Sequence, residues 1–220
     1  MPAAYVVGAL FLILTGVFFV FEITRPFSEA GVRGLAEWSS FFVVFLAPLL
    51  TMRLLAEEQK LGTLELLLTS PIREWEVVLG KYTASLLMLF SIQAVTLYYV
   101  LLIYIFGDPD TGPVFSAYIG LLLHGAAALS IGLLGSSLSG NQIVSAVLGT
   151  AVLLIFNFID RVSSVLTGAP ADFLNALSMN VALADFTRGI IDTFHIVYFI
   201  SVIAVFLFLT IRSLETRRWR

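Results

Sequence analysis

Residues 5–21 contain no charged side chain, and this run limits the possible folds more than any other feature of the chain. A stretch of roughly 20 apolar residues is what a helix needs to cross the hydrocarbon core of a bilayer. No Lys or Arg precedes the run and no small-x-small cleavage pattern follows it, so a retained first span is expected rather than a leader. Five more runs follow, at 38–55, 77–106, 114–138, 142–159 and 195–214. Breakers separate them: Arg25-Pro26, the turn from Gly107 through Asp108, Pro109 and Asp110 to Pro113, and the reversal Ser139-Gly140-Asn141. The third run is long enough for its helix to protrude from the bilayer. Composition agrees, with 59% hydrophobic and only 12% charged residues, more apolar side chain than one soluble core can hide. The expectation is an all-α integral membrane protein with six transmembrane helices, forming one domain over 1–220.

Residues 160–194 do not fit that pattern. They are moderately apolar but broken by Thr167-Gly168-Ala169-Pro170, and Asp172 is placed to cap a following helix. Neither half is long enough to span, and the sequence leaves interfacial helices and a re-entrant pair equally open. Orientation follows from the cations. With both termini cytoplasmic, the inside holds eight (Arg53, Lys60, Arg73, Lys81, Arg212, Arg217, Arg218, Arg220) and the outside four (Arg25, Arg33, Arg161, Arg188).

The chemistry available is sparse. Gly80-Lys81 is followed by Tyr82 and lacks the upstream glycine of a phosphate-cradling loop, so the chain is not expected to hydrolyse ATP. The two histidines, His124 and His195, fall on different spans without metal-ligand spacing, and Cys is absent. Few ionisable residues lie within the spans, which argues against a proton relay, and no nucleophile or carboxylate pair shares a depth. A net charge of −3 gives no sign of nucleic-acid binding. No catalytic, cofactor-binding or metal residue is assigned.

One polar segment stands out, at 57–71, between the second and third spans: Glu57, Glu58, Gly62, Thr63, Leu64, Glu65, Leu67, Leu68 and Pro71. Thr63 can cap a short helix with Leu64, Leu67 and Leu68 on one face, which Pro71 stops. Such a helix suits either the lipid interface or a docking groove on a soluble partner, and periodicity does not separate the two.

Glu-Glu-x-x-x-Gly-Thr-Leu-Glu-Leu-Leu-Leu-x-x-Pro, placed after a second span and before a long third one, resembles the signature of type-2 ABC exporter permeases, especially their gliding-motility-type branch. Pro2-Ala3-Ala4-Tyr5-Val6, Ser136-Ser137-Leu138 with Asn141-Gln142, Asp185-Phe186-x-Arg188-Gly189 with Asp192, and Arg212-Ser213-Leu214-Glu215 with Arg217-Arg218-Trp219 extend the similarity over nearly the whole chain. The resemblance implies a six-helix permease in the bacterial inner membrane that exports a substrate. It further implies a second permease protomer, homo- or heteromeric, an auxiliary extracytoplasmic subunit, and a separate ATPase that carries ATP and Mg and docks on 57–71, the coupling region. Such permeases usually carry a basic amphipathic helix ahead of the first span, whereas this sequence opens almost at the span.

Single residues carry further expectations. Ala128, Gly132, Ser136 and Gly140 form a small-residue stripe on the fourth span, continued by Ser145 and Gly149 on the fifth, suited to close helix packing inside the protomer or at a dimer seam. Gln93, mid-span, needs a hydrogen-bond partner. Gln93, His124 and Asn157 are candidates for a seam or substrate path, although structural packing explains each as well. Arg217, Arg218 and Arg220 with Trp219 read as an interfacial anchor in contact with membrane lipid. The alternative to transport is a six-span scaffold or assembly factor that recruits a cytoplasmic partner.

Overall fold

The computed structural model describes residues 2–24, 32–64, 73–107, 109–163, 165 and 167–218, and these are helices joined by short connections. Ten helices are assigned among them: α1 (Pro2–Ile23), α2 (Val32–Thr51), α3 (Ala56–Leu61), α4 (Glu74–Val95), α5 (Leu97–Phe106), α6 (Thr111–Leu138), α7 (Gln142–Ser163), α8 (Ala169–Leu177), α9 (Met179–Thr187) and α10 (Thr193–Arg218). With α3 continuing α2 and α5 continuing α4 past Thr96, six helical units are long and apolar enough to cross a membrane. This is the form a lipid-solvated chain must take, because a helix pairs its backbone polar groups within the segment.

The bundle is organised around α6, whose most apolar window is 72% buried against 22% for α1 and for α7 and 28% for α10. Side-chain size explains the position. A Cβ on Gly132 would collide with the Thr51 hydroxyl of α2, and one on Gly149 of α7 would stand 3.2 Å from the Gly132 Cα. The small-residue stripe is therefore consumed inside the protomer, with Ala128, Ser136 and Ser145 all buried. It is not a free dimer seam.

Several boundaries differ from the sequence reading. The second span begins at Val32, not 38, because Arg33 and Glu37 pair across one exposed helical turn at 2.9 Å while Val32, Leu35 and Ala36 bury the opposite face. α6 begins at Thr111, ahead of Pro113, which sits in a first turn where backbone N–H groups have no helical acceptor anyway. Asp172 does not cap α8: Gly168, with φ of 79°, holds that position and Asp172 falls in the first turn.

One end of the bundle gathers the start of α1, the end of α2, α3, the start of α4 and the α6–α7 reversal; we call it the near end. The far end carries α8 and α9, which meet at Ser178. Its Oγ accepts from Val181 N–H at 3.3 Å to start α9, and Tyr198 of α10 donates its hydroxyl to the Leu177 carbonyl at 2.6 Å. α9 buries Met179, Leu183 and Phe186 against the spans, and a Cβ on Gly120 of α6 would lie 2.6 Å from the Phe186 Cβ. α8 lies on α7 and leaves Phe173 exposed.

Candidate functional site

The described part of the segment singled out in the sequence, 57–64, lies at the near end, and what precedes it is held by several specific bonds. α2 stops at Thr51, whose hydroxyl donates to the Ala47 carbonyl at 2.9 Å, and the chain then turns through 52–55 into α3. The first N–H groups of a helix lack intrahelical acceptors. Here one side chain supplies them: Ser136 Oγ on α6 accepts from the N–H groups of both Leu55 and Ala56 at 3.1 Å, and donates to the Met52 carbonyl at 3.1 Å. Gln59 Nε2 then donates to the Ser137 carbonyl at 2.8 Å, and Ser213 of α10 reaches the same carbonyl.

α4 contributes a second clamp. Lys81 Nζ donates to the Leu54 carbonyl at 2.7 Å and to Glu58 Oε1 at 2.6 Å. Both side chains are partly buried, 20% and 31% exposed, so water screens this pair less than a surface one. Displacing α3 therefore pulls directly on α4 and α6.

Gly62 ends α3 with φ of 71°, the left-handed conformation that glycine enters at little cost, and its N–H bonds to the Gln59 carbonyl at 3.3 Å. A Cβ there would meet nothing within 4 Å, so the demand for glycine is conformational rather than steric. The Thr63 hydroxyl donates back to the Glu58 carbonyl at 3.3 Å; the N–H groups it was expected to cap lie outside the described residues.

Leu64 departs from expectation. It was placed on a partner-facing stripe with Leu67 and Leu68, yet it is 4% exposed and belongs to the central apolar cluster with Leu55, Val78 and Leu214. It anchors the segment to the bundle instead of offering itself to a partner. Glu65, Leu67, Leu68 and Pro71 lie outside the described residues. Glu57 stays unpaired to any described residue, whereas Glu58, the other acidic residue at the start of the coupling region, is already engaged by Lys81.

The three seam candidates are not brought to an exposed face. Gln93 is buried and donates Nε2 to the Leu121 carbonyl of α6 at 3.2 Å, while its Oε1 has no partner among the described residues. Asn157 donates to the Leu153 carbonyl one turn back in its own helix, at 2.9 Å. His124 is fully buried with its ring edge-on to Phe199, 6.2 Å between centroids, and neither ring nitrogen has a partner among the described residues. All three are interior to one protomer, so a path lined by them would have to open within it.

Sequence reasoning missed Lys81 and Gln59. Lys81 was read as a topological charge and set aside as a phosphate-loop lysine; its signal was a lone cation two turns into the third span's helix, which has to find an acceptor. Ser136 was read for its small size and as part of a family-like block, not for its hydroxyl, which holds the turn into α3. Among the described residues no three His, Asp or Glu side chains gather as a metal would require.

The sequence model of the family described as "ABC-2 family transporter protein" matches residues 23–219, which is most of the chain and includes both the clamp and the whole of 57–71. The match is to the family as a whole and not to a branch of it. No curated protein sequence matches the chain.

Proposed function

The chain belongs to the ABC-2 transporter family, and from that premise we propose that it is a permease subunit driven by a separate cytoplasmic ATPase. In this reading the termini are cytoplasmic, the chain lies in the bacterial inner membrane, and a second permease protomer completes the path through which a substrate is exported. ATP and Mg reside on the ATPase. The permease contributes no bond-breaking chemistry; it converts displacement of a cytoplasmic segment into movement of its spans.

The observation that carries the reading is the clamp at the near end. A segment that only rested on lipid would need an apolar face, not a lysine and a serine from separate helices fixing its backbone while its own Gln59 bonds to the Ser137 carbonyl. Ser136, Ser137 and Lys81 tie α3 to the centre of the bundle and to α4, so force applied beyond Gly62 is delivered to both rather than absorbed by a loose loop. Leu64 adds an apolar anchor on the far side of Gly62.

Coexpression with a candidate ATPase, copurification in lipid nanodiscs and measurement of ATP turnover test this. Stable copurification, with turnover altered relative to the free ATPase, is expected. A chain that recruits an ATPase without changing its turnover would instead be a scaffold.

A further inference from the structure

A cavity of about 450 Å3 opens at the near end between α1, α2, α3 and α4. Its size lies within the range of roughly 300–1,000 Å3 that holds small amphipathic ligands. One part is apolar: Ala4 and Val7 of α1, Leu49 and Leu50 of α2, and Ala84 and Met88 of α4. α1 and α4 close on each other one turn deeper, where a Cβ on Gly8 would stand 2.9 Å from Ile92 Cδ1. The slot between them therefore lies on the near side of that contact.

The other part carries four charges. Lys81 and Glu58 neutralise each other at 2.6 Å. Arg53 and Glu57 do not: they stand four residues apart and are paired neither with each other nor with another described residue. Arg53 Nε, Glu57 Oε2 and Glu58 Oε2 are buried without a hydrogen-bond partner. Neither Arg53 nor Glu57 is buried as a whole, but each holds one polar atom away from water without a partner, and such an atom is costly to leave unsatisfied. A cation and an anion held apart beside an apolar slot are complementary to a molecule carrying the opposite charges at a similar separation, next to a hydrocarbon tail.

We infer that this cavity binds a phospholipid with a primary-ammonium headgroup, of the phosphatidylethanolamine class, from the leaflet at the near end. Arg53 donates to the phosphate and the ammonium donates to the Glu57 carboxylate, while one acyl chain lies along Val7, Leu50 and Met88. A choline headgroup has no N–H to give Glu57, and a glycerol headgroup offers only neutral hydroxyls, which donate to that carboxylate without compensating its charge. The lipid would tie α1, which otherwise packs sparsely on α4, to the clamp that holds α3. This inference needs the chain to sit in a membrane but not to couple to an ATPase.

The test is native mass spectrometry of the full chain in nanodiscs made from equal parts of phosphatidylethanolamine, phosphatidylcholine and phosphatidylglycerol with matched acyl chains. Retention of the ethanolamine lipid over the choline lipid by about tenfold is expected, the worth of one charge-assisted hydrogen bond. Glu57→Gln, which keeps the shape and removes the charge, should abolish that preference. Ala84→Trp, at an exposed position that fills the slot from α4 and leaves every charge in place, should lower retention of all three lipids; because it spares the clamp, it covers the case in which Glu57→Gln fails to insert. Equal retention of ethanolamine and choline lipids, a preference for phosphatidylglycerol, or unchanged retention by Ala84→Trp would overturn the inference. None of these outcomes bears on whether an ATPase copurifies, so the two proposals fail separately.

Discussion

Lys81 and Glu58, 23 positions apart, meet with Nζ 2.6 Å from Oε1, and the same ammonium caps the Leu54 carbonyl at 2.7 Å. One side chain thus joins the beginning of the third span to the short helix after the second. Replacing Lys81 by Met would leave both acceptors in a partly dry site without a donor. A loss of about 1–3 kcal/mol in the local stability of α3 is expected. Hydrogen exchange at 57–62 should accelerate while the spans stay protected, and the exchanged pair Lys81→Glu with Glu58→Lys should recover part of the protection.

Ser136 is the second fastening. Ser136→Ala removes the acceptor that serves the N–H groups of Leu55 and Ala56 among the described residues, and a donor to Met52. Because these groups are buried, about 1–3 kcal/mol should be lost and the turn at 52–55 should open in hydrogen exchange. Ser136→Gly, equally small, should do the same, which separates the hydroxyl's role from that of size.

At the far end, Gly120→Ala would press a methyl to 2.6 Å from the Phe186 Cβ and 2.9 Å from Leu183 Cδ1. Overpacking of that kind costs about 1–3 kcal/mol. α9 should be the element that yields, since Ser116 holds it to α6 through the Phe186 carbonyl at 2.6 Å. Increased protease cleavage at 178–190, with the near end unchanged, is the readout.

These results show what kind of information the sequence carried. Six apolar runs predict six spans because length and hydropathy act locally, and Ser139-Gly140-Asn141 marks a reversal through the turn chemistry of those residues alone. The start of α2 was misplaced because Arg33 and Glu37 read as loop until their shared helical face is recognised. Leu64 was misassigned because periodicity fixes which residues share a stripe but not which neighbour the stripe meets. The Lys81 clamp was invisible for the same reason: its partners are distant in sequence, and a lysine near a span end looks identical whether it snorkels to water or ties two helices together.

Orientation is testable in a chain without native cysteine. Asp110, N-cap of the α6 helix at the far end, is exposed, and Asp110→Cys should react with a membrane-impermeant maleimide added to intact cells. A cysteine replacing Lys60, exposed at the near end, should react only after the membrane is opened. The reversed pattern would place the termini outside.

A coupling role for 57–71 requires that this segment receive an ATPase. Leu67→Asp puts a charge on the stripe expected to enter a docking groove, where an unpaired buried charge costs about 2–5 kcal/mol of association. The decisive measurement is the amount of ATPase that copurifies with Leu67→Asp relative to the unaltered chain, in preparations with equal membrane insertion. Loss of the ATPase from a normally inserted permease is the predicted result; full retention of the ATPase would contradict the assignment of this segment as the coupling element.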